Sequence, residues 1–149
     1  MIETYVYIAG PYMGLATHDH HSYFIIDAHI REAQEAALFL AGLGFGIFCP
    51  HTHSAHNEVI APEVPASYWY EIDMHFLEAC TCVLRLPGAS KGADAEVLRA
   101  TELGMPVYYN VVDLINGEYQ RRQDEFEYRE GEDGRGGIRP DADSIRSAA

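Results

Sequence analysis

Short apolar runs alternate with longer segments of helical periodicity over most of the chain. Each run is too short for a helix and is bounded by turn-forming residues, which predicts a β-strand. The predicted strands span residues 5–9, 45–48, 82–86 and 106–109. Because these strands are nearly continuous in apolar residues and are separated by helices, they predict an α/β fold. We expect a parallel sheet of four to five strands with helices on both faces.

Three helices connect the predicted strands. The first begins near residue 25, and its apolar positions recur every three or four residues. These positions are Ile26, Ile30, Ala33, Ala37, Leu40 and Ala41. The second is expected to begin at Ser67 as its cap and to bury a stripe of four residues. The stripe is Trp69, Ile72, Phe76 and Ala79. The third helix spans residues 93–103, and residues 49–65 are predicted to form a long loop.

The composition changes after residue 115, where the chain becomes rich in charged residues and glycine. We therefore predict two parts, a domain over residues 1–115 and a C-terminal extension over residues 116–149. The extension is expected to contain a charged helix at residues 118–129, followed by a mobile tail at residues 131–149.

Charge and cysteine content limit the possible partners. The net charge of −13 argues against nucleic acid or an anionic membrane as the main partner, because both need clustered Lys and Arg. No run of about 20 apolar residues is present to span a bilayer. Three cysteines and the lack of a basic or apolar leader predict a cytoplasmic protein with reduced thiols.

The turn between the third strand and the third helix carries candidate chemistry. Ser90 and Gly92 lie at the start of the helix, where backbone N–H groups and the helix dipole attract anions. Glu96 follows one turn later as a potential nucleophile. Such a turn suggests chemistry on a small anionic substrate, although an ordinary turn with a solvated glutamate has the same pattern.

Three other segments follow predicted strands in the same way. They are Gly10-Pro11, Pro50-His51 and Asn110. Ligands of parallel sheets bind beyond the carboxyl ends of the strands, so we expect these residues to lie around one site with Ser90.

Asp73, on the second predicted helix, borders the core and forms a candidate carboxylate pair with Glu96. Two carboxylates suit displacement at an anomeric carbon, where one attacks the sugar and another group handles the proton of the leaving group. The alternative is that Asp73 is an ordinary surface acid.

At these positions the sequence resembles the nucleoside 2-deoxyribosyltransferase-like superfamily, which includes nucleotide N-glycosidases and related phage and bacterial proteins. The similarity covers residues 5–110 and consists of four short motifs. They are Tyr7-Ile8-Ala9-Gly10-Pro11-Tyr12, Asp73-x-x-x-Leu77, Ser90-x-Gly92-x-x-x-Glu96, and Ala100 followed by Gly104-Met105-Pro106-Val107. The resemblance implies a Rossmann-like (flavodoxin-like) sheet and an enzyme without a cofactor.

The resemblance also implies roles for individual residues. Glu96 matches a catalytic glutamate that attacks C1′ and forms a glycosyl-enzyme intermediate. Asp73 matches an aspartate that assists at the leaving base or steadies the nucleophile, and Tyr7 matches a tyrosine that hydrogen-bonds the catalytic carboxylate. Gly10 is expected to let the sugar or base approach the backbone. The expected substrate-binding residues are Gly10, Pro11, Tyr12, His51, Ser90, Gly92 and Asn110.

The residue six positions before the catalytic glutamate separates the subfamilies. Nucleoside transferases have Asp there, whereas nucleotide hydrolases have Ser, which binds the 5′-phosphate. Ser90 therefore favours a nucleotide N-glycosidase that releases free base and sugar 5-phosphate. Base exchange by a nucleoside 2-deoxyribosyltransferase is the alternative. The resemblance also predicts a homodimer or larger homo-oligomer whose subunits help to close each pocket.

The histidines offer a different interpretation. Pro50-His51-Thr52-His53 resembles the strand-end His-x-His of metal-dependent hydrolases, and His18, His20, His21 or His56 could complete a site. Those enzymes are larger barrels whose further ligands follow strands that this chain lacks, so we predict no metal site. A nucleotide sensor without catalytic activity is a further alternative.

Overall fold

The computed structural model describes residues 1–14 and 22–133, and this part of the chain contains one four-stranded parallel sheet. Its strands are β1 (Tyr5–Ala9), β2 (Gly46–Phe48), β3 (Cys82–Arg85) and β4 (Val107–Tyr108). The helices are α1 (Tyr23–Gly42), α2 (Pro50–His53), α3 (Asn57–Ile60), α4 (Ala66–Ala79), α5 (Lys91–Glu102) and α6 (Val111–Asp133). The predicted α/β fold is therefore confirmed.

Helices cover both faces of the sheet because side chains alternate along each strand. On one face, Val6 and Ile8 of β1 pack with buried residues of α1. On the other face, Tyr7 and Ala9 pack with α4 and α5. β1 is thus buried on both sides, as its continuous apolar run predicts.

The strand order is β2-β1-β3-β4, which places β1 in the middle of the sheet. Tyr7 pairs with Val83 of β3 and Ala9 pairs with Arg85, so the carboxyl ends of these two strands lie side by side. From β1 the chain runs to β2 on one side and then crosses to β3 on the other. Such a reversal opens a crevice at the strand ends, which is where open α/β sheets bind ligands.

The α1 periodicity predicts the core accurately. Its five buried residues were all among the predicted positions, and they are Ile26, Ile30, Ala33, Ala37 and Leu40. Ala41, the sixth predicted position, is exposed because it follows Leu40 by one residue and so points away from the sheet.

The buried stripe predicted for α4 is wrong. Leu77 is fully buried and Met74 packs beside the same cluster, whereas Phe76 and Ala79 are exposed. Ser67 is not the cap either, because the helix begins at Ala66 after Pro65 and has no side-chain cap. The sheet-facing side of α4 therefore runs through Asp73 and Leu77, which are four residues apart.

Three connections also differ from the prediction. The expected loop over residues 49–65 contains the short helices α2 and α3. α2 begins at Pro50. The first residue of a helix makes no helical hydrogen bond through its N–H, so proline, which lacks this N–H, fits there. α5 begins at Lys91, two residues early, because Ser90 caps it. α6 begins at Val111 rather than residue 118, because the Asn110 side chain accepts the N–H of Asp113 at 2.8 Å.

The chain divides into two units, Met1–Ile115 and Asn116–Ala149. That the first unit is a catalytic domain stays a prediction, and the predicted tail lies largely outside the described residues. No helix in residues 1–14 and 22–133 has the length and apolar character needed to cross a membrane.

The burial of Leu77 leads to a test of this packing. We expect Leu77→Ala to lower the free energy of unfolding by about 2–5 kcal/mol, because it opens a cavity between α4 and the sheet. Leu38→Ala on α1 is the matched control, since Leu38 is 65% exposed and its loss should cost less than about 0.5 kcal/mol. Urea unfolding measures both, and equal effects would contradict this packing.

Candidate active site

A cavity of about 330 Å³ lies at the carboxyl ends of β1 and β3. Its walls come from the segment after β1, from α2 to α4, and from the start of α5. The lining residues are Gly10, Tyr12, Met13, Pro50, His51, Ser54, Asn57, Glu58, Val64, Ala66, Trp69, Tyr70, Asp73, Ser90, Gly92, Ala93 and Glu96.

A buried hydrogen bond joins Tyr7 of β1 to Glu96 of α5 beside this cavity. The Tyr7 hydroxyl donates to Glu96 Oε1 at 2.8 Å. Tyr7 is fully buried and Glu96 is 8% exposed. Tyr7 thus holds one carboxylate oxygen of Glu96 in place from the sheet, and Glu96 also lines the cavity.

Burial raises the pKa of the Glu96 carboxyl to about 7, and the charge of Asp73 adds to this rise. The Tyr7 hydrogen bond and the Arg85 charge act in the opposite direction. Burial and the nearby carboxylates raise the pKa of Tyr7 well above its usual value, so Tyr7 remains a proton donor. Near neutral pH, Glu96 therefore exists in both its protonated and its ionised form.

Asp73 lines the same cavity from α4. Burial raises its pKa to about 6, against the opposing charge of His53. Its Oδ1 atom is buried and finds no hydrogen-bond partner among the described residues. Two carboxyl groups with raised pKa values therefore lie at one site, an arrangement common in acid–base chemistry.

Ser90 lies at the N-terminus of α5 and is the cap of that helix. Its Oγ accepts the backbone N–H of Ala93 at 3.2 Å. Because Oγ acts as the acceptor in this cap, its proton is free to be donated to a ligand. Ser90 and Gly92 both line the cavity, so the positive end of the α5 dipole faces it.

Gly10 lines the cavity, but packing explains why this position is a glycine. A Cβ atom there would lie 3.1 Å from Cβ of Leu86. That Gly10 also lets the sugar or base approach the backbone stays a prediction. Pro11 does not line the cavity, and its carbonyl instead accepts a hydrogen bond from His51 Nε2 at 2.8 Å.

Asn110 is not brought to the cavity. It follows β4, the outermost strand, and its side chain caps α6.

Seven of the ten predicted site residues line the cavity, and Tyr7 contacts Glu96 from behind it. The seven are Gly10, Tyr12, His51, Asp73, Ser90, Gly92 and Glu96.

The histidines do not form a metal centre in the described part of the chain. No group of three or more His, Cys, Asp or Glu residues there could hold an ion. His53 lies against Phe48 and Phe76, and the His56 ring stacks on Tyr23 with centroids 4.6 Å apart. His18, His20 and His21 lie outside the described residues.

Arg85 is a residue that the sequence interpretation missed. Its guanidinium donates to the carbonyls of Leu86 and Gly88 and pairs with Asp94 at 2.9 Å. It therefore holds the turn between β3 and α5, on which Ser90 depends. An arginine inside an otherwise apolar strand was the available signal, because a buried charge requires partners.

The interpretation also missed part of the aromatic wall. Trp69 and Tyr70 line the cavity together with the predicted Tyr12. Aromatic side chains of this kind offer flat apolar surface with a polar edge, which suits a planar ring system in the ligand.

A protein-family model described as "Domain of unknown function (DUF1937)" matches residues 4–111. The chain belongs to this DUF1937 family. The match includes every lining residue of the cavity. A search of the curated proteins gives no match for this DUF1937 chain.

Among solved structures, this DUF1937 protein is similar to a 2-deoxyribosyltransferase from the psychrotolerant bacterium Bacillus psychrosaccharolyticus, a biocatalyst for the industrial synthesis of antiviral and antitumoral nucleosides. The two chains are 17% identical, with 74% of this chain and 78% of the other covered, at a TM-score of 0.49. Folds host many activities, so a likeness this distant bears on neither reaction nor substrate.

The raised pKa of Glu96 implies a cost to folding. The folded protein binds this proton more tightly than the unfolded chain, so the cost is full above pH about 7 and disappears below pH about 4.5. We expect Glu96→Gln to raise the free energy of unfolding above pH 7 by on the order of 3 kcal/mol, and to change it little in acid.

Glu35→Gln is the matched control, because Glu35 is exposed on α1. Urea unfolding of both variants over this pH range gives the comparison. A Glu96→Gln variant that is less stable than the parent above pH 7 would contradict the burial argument.

Proposed function

We propose that this protein hydrolyses the N-glycosidic bond of a (deoxy)nucleoside 5′-monophosphate, with Glu96 as the nucleophile. The observation that carries the proposal is the buried Tyr7–Glu96 hydrogen bond beside Asp73 in an aromatic-walled cavity. Most glycosidases use two such carboxyl groups, one to attack and one to handle a proton.

In the first step, ionised Glu96 attacks C1′ of the sugar. Tyr7 holds Oε1, so Oε2 is the oxygen left to form the new bond. The C1′–N bond breaks, and its electron pair leaves with the base. Asp73 in its protonated form gives the departing base a proton. The product is a glycosyl ester on Glu96 and a free base.

In the second step, water attacks the ester and restores Glu96. Asp73, now ionised, accepts a proton from this water, which returns both carboxyl groups to their starting states. The sugar phosphate then leaves. If a second base attacked in place of water, the reaction would be a base exchange, so the two activities share the first step.

Ser90 favours the binding of a 5′-phosphate, because Ser90 and the start of α5 line the cavity.

The negative charges of the cavity lining favour the second candidate, a nucleoside 2-deoxyribosyltransferase. Glu58, Asp73 and Glu96 contribute three carboxyl groups, and no Lys or Arg among the described residues belongs to the lining. An uncharged nucleoside meets less repulsion from such a wall than a phosphate dianion does.

Base release from a panel of nucleotides and nucleosides, followed by chromatography, tests the reaction. We expect the protein to release base and Glu96→Gln to lower kcat by at least about a thousandfold while still binding substrate, because the amide cannot attack. Glu35→Gln should keep the parental rate. A Glu96→Gln variant of normal rate would rule out this mechanism.

Two substitutions at Ser90 separate phosphate binding from helix capping. Asn and Asp both cap helices well, but only Asp adds a negative charge. We expect Ser90→Asp to raise KM for nucleotides by about tenfold or more relative to Ser90→Asn, with little difference for nucleosides. Equal KM values for nucleotides in the two variants would favour the nucleoside transferase.

A further inference from the structure

Three residues that line the cavity each have one buried atom without a hydrogen-bond partner in the described part of the chain. The atoms are His51 Nδ1, Glu58 Oε1 and Asp73 Oδ1. A buried polar atom without a partner costs about 1–3 kcal/mol, so such atoms mark positions where a ligand supplies what the protein does not. Asp73 belongs to the proposed reaction, whereas His51 and Glu58 have no part in it.

His51 presents an acceptor. Its Nε2 atom donates to the Pro11 carbonyl at 2.8 Å, so Nε2 carries the proton. Burial lowers the pKa of His51, which keeps the ring neutral and leaves Nδ1 with a free lone pair. The residue is 4% exposed, so bulk water does not satisfy this atom.

Glu58 is held firmly and also presents an acceptor. Its Oε2 accepts the Tyr12 hydroxyl at 2.9 Å, and the same hydroxyl accepts the backbone N–H of His56 at 2.8 Å. Its Oε1 lies 3.9 Å from His56 Nδ1, which is too far for a hydrogen bond. Glu58 lines the cavity, so a ligand bound there can reach this carboxylate.

The two acceptors come from a different part of the wall from the reacting groups. His51 and Glu58 belong to α2 and α3, whereas Tyr7, Asp73 and Glu96 belong to β1, α4 and α5. When the sugar of a substrate lies at Glu96, the residues of α2 and α3 are therefore available to recognise its base. Trp69 adds a flat surface on which a base can stack.

We propose that His51 and Glu58 recognise the base of the substrate, and that they select bases carrying an exocyclic amino group. This inference rests on the proposed function for its assignment of sugar and base. An amino group brings two N–H donors to acceptors that lack them, and carboxylates accept from base amino groups elsewhere in biology. A base without that amino group leaves the two acceptors unsatisfied.

Free bases that differ in this one group test the selection. Adenine and purine form one pair, and cytosine and pyrimidin-2-one form the other; in each pair the second base lacks only the amino group. We expect the amino-bearing member of at least one pair to bind about tenfold more tightly, as measured by calorimetry. Trp69, the one tryptophan of the chain, should change its fluorescence on binding, which places the base in the cavity.

Glu58→Gln is the decisive variant. Its amide oxygen can still accept from Tyr12, while its N–H₂ group replaces the free acceptor with a donor. We expect the preference for the amino-bearing base to disappear or to invert. Glu63→Gln, at an exposed site outside the cavity, should keep the parental preference. Glu58→Ala serves as a second variant and should bring the two affinities together.

The outcomes separate the two proposals, because a free base has no glycosidic bond to cleave. Preferential binding without base release from any nucleotide or nucleoside would support the recognition site and reject the glycosidase. Base release together with equal affinities in each pair would support the glycosidase and reject the recognition site. Retention of the amino preference in both Glu58 variants, or no binding of any base, would overturn the assignment of His51 and Glu58.

Discussion

The hydrogen bond from Tyr7 to Glu96 is the interaction on which the site depends. It joins the central strand to the helix that follows β3, and it places a carboxylate inside the protein rather than on the surface. A buried carboxylate is costly unless it is hydrogen-bonded. Tyr7 satisfies one oxygen of this carboxylate, and the proposed reaction uses the other.

The rest of the first unit supports this pair. β1 lies between β2 and β3, so Tyr7 is fixed by strand neighbours on both sides. Arg85 holds the turn before α5 by bonding two backbone carbonyls and Asp94, and its charge also favours ionised Glu96. Leu77 and the buried alanines of α5 pack against the same face of the sheet.

The sequence could predict those elements that have one buried side and one exposed side. The α1 residues from Ile26 to Leu40 followed the helical period because α1 separates the sheet from solvent. The buried stripe of α4 was predicted wrongly, because this helix contacts the sheet through Leu77 and the cavity through Trp69. α2 and α3 have four residues each, which is too short for a period to show.

The site was predictable in part for a similar reason. Motifs that lie at strand ends, such as Gly10 and Ser90, point to the edge of the sheet from their position alone. Glu58 had no such signal, because its place in the wall comes from a hydrogen bond to Tyr12, 46 residues away. Asn110 had the right position after a strand, but its strand is the outermost one and its side chain bonds the helix that follows.

The proposed reaction depends on Glu96 as the group that attacks the sugar. A nucleotide with fluorine at C2′ slows both steps by destabilising the oxocarbenium-like transition state, so a glycosyl ester should accumulate. Mass spectrometry of the digested protein locates it. We expect one added sugar phosphate, or one added sugar from a nucleoside analogue, on the peptide that contains Glu96. An adduct on Asp73 or on any other residue would contradict it.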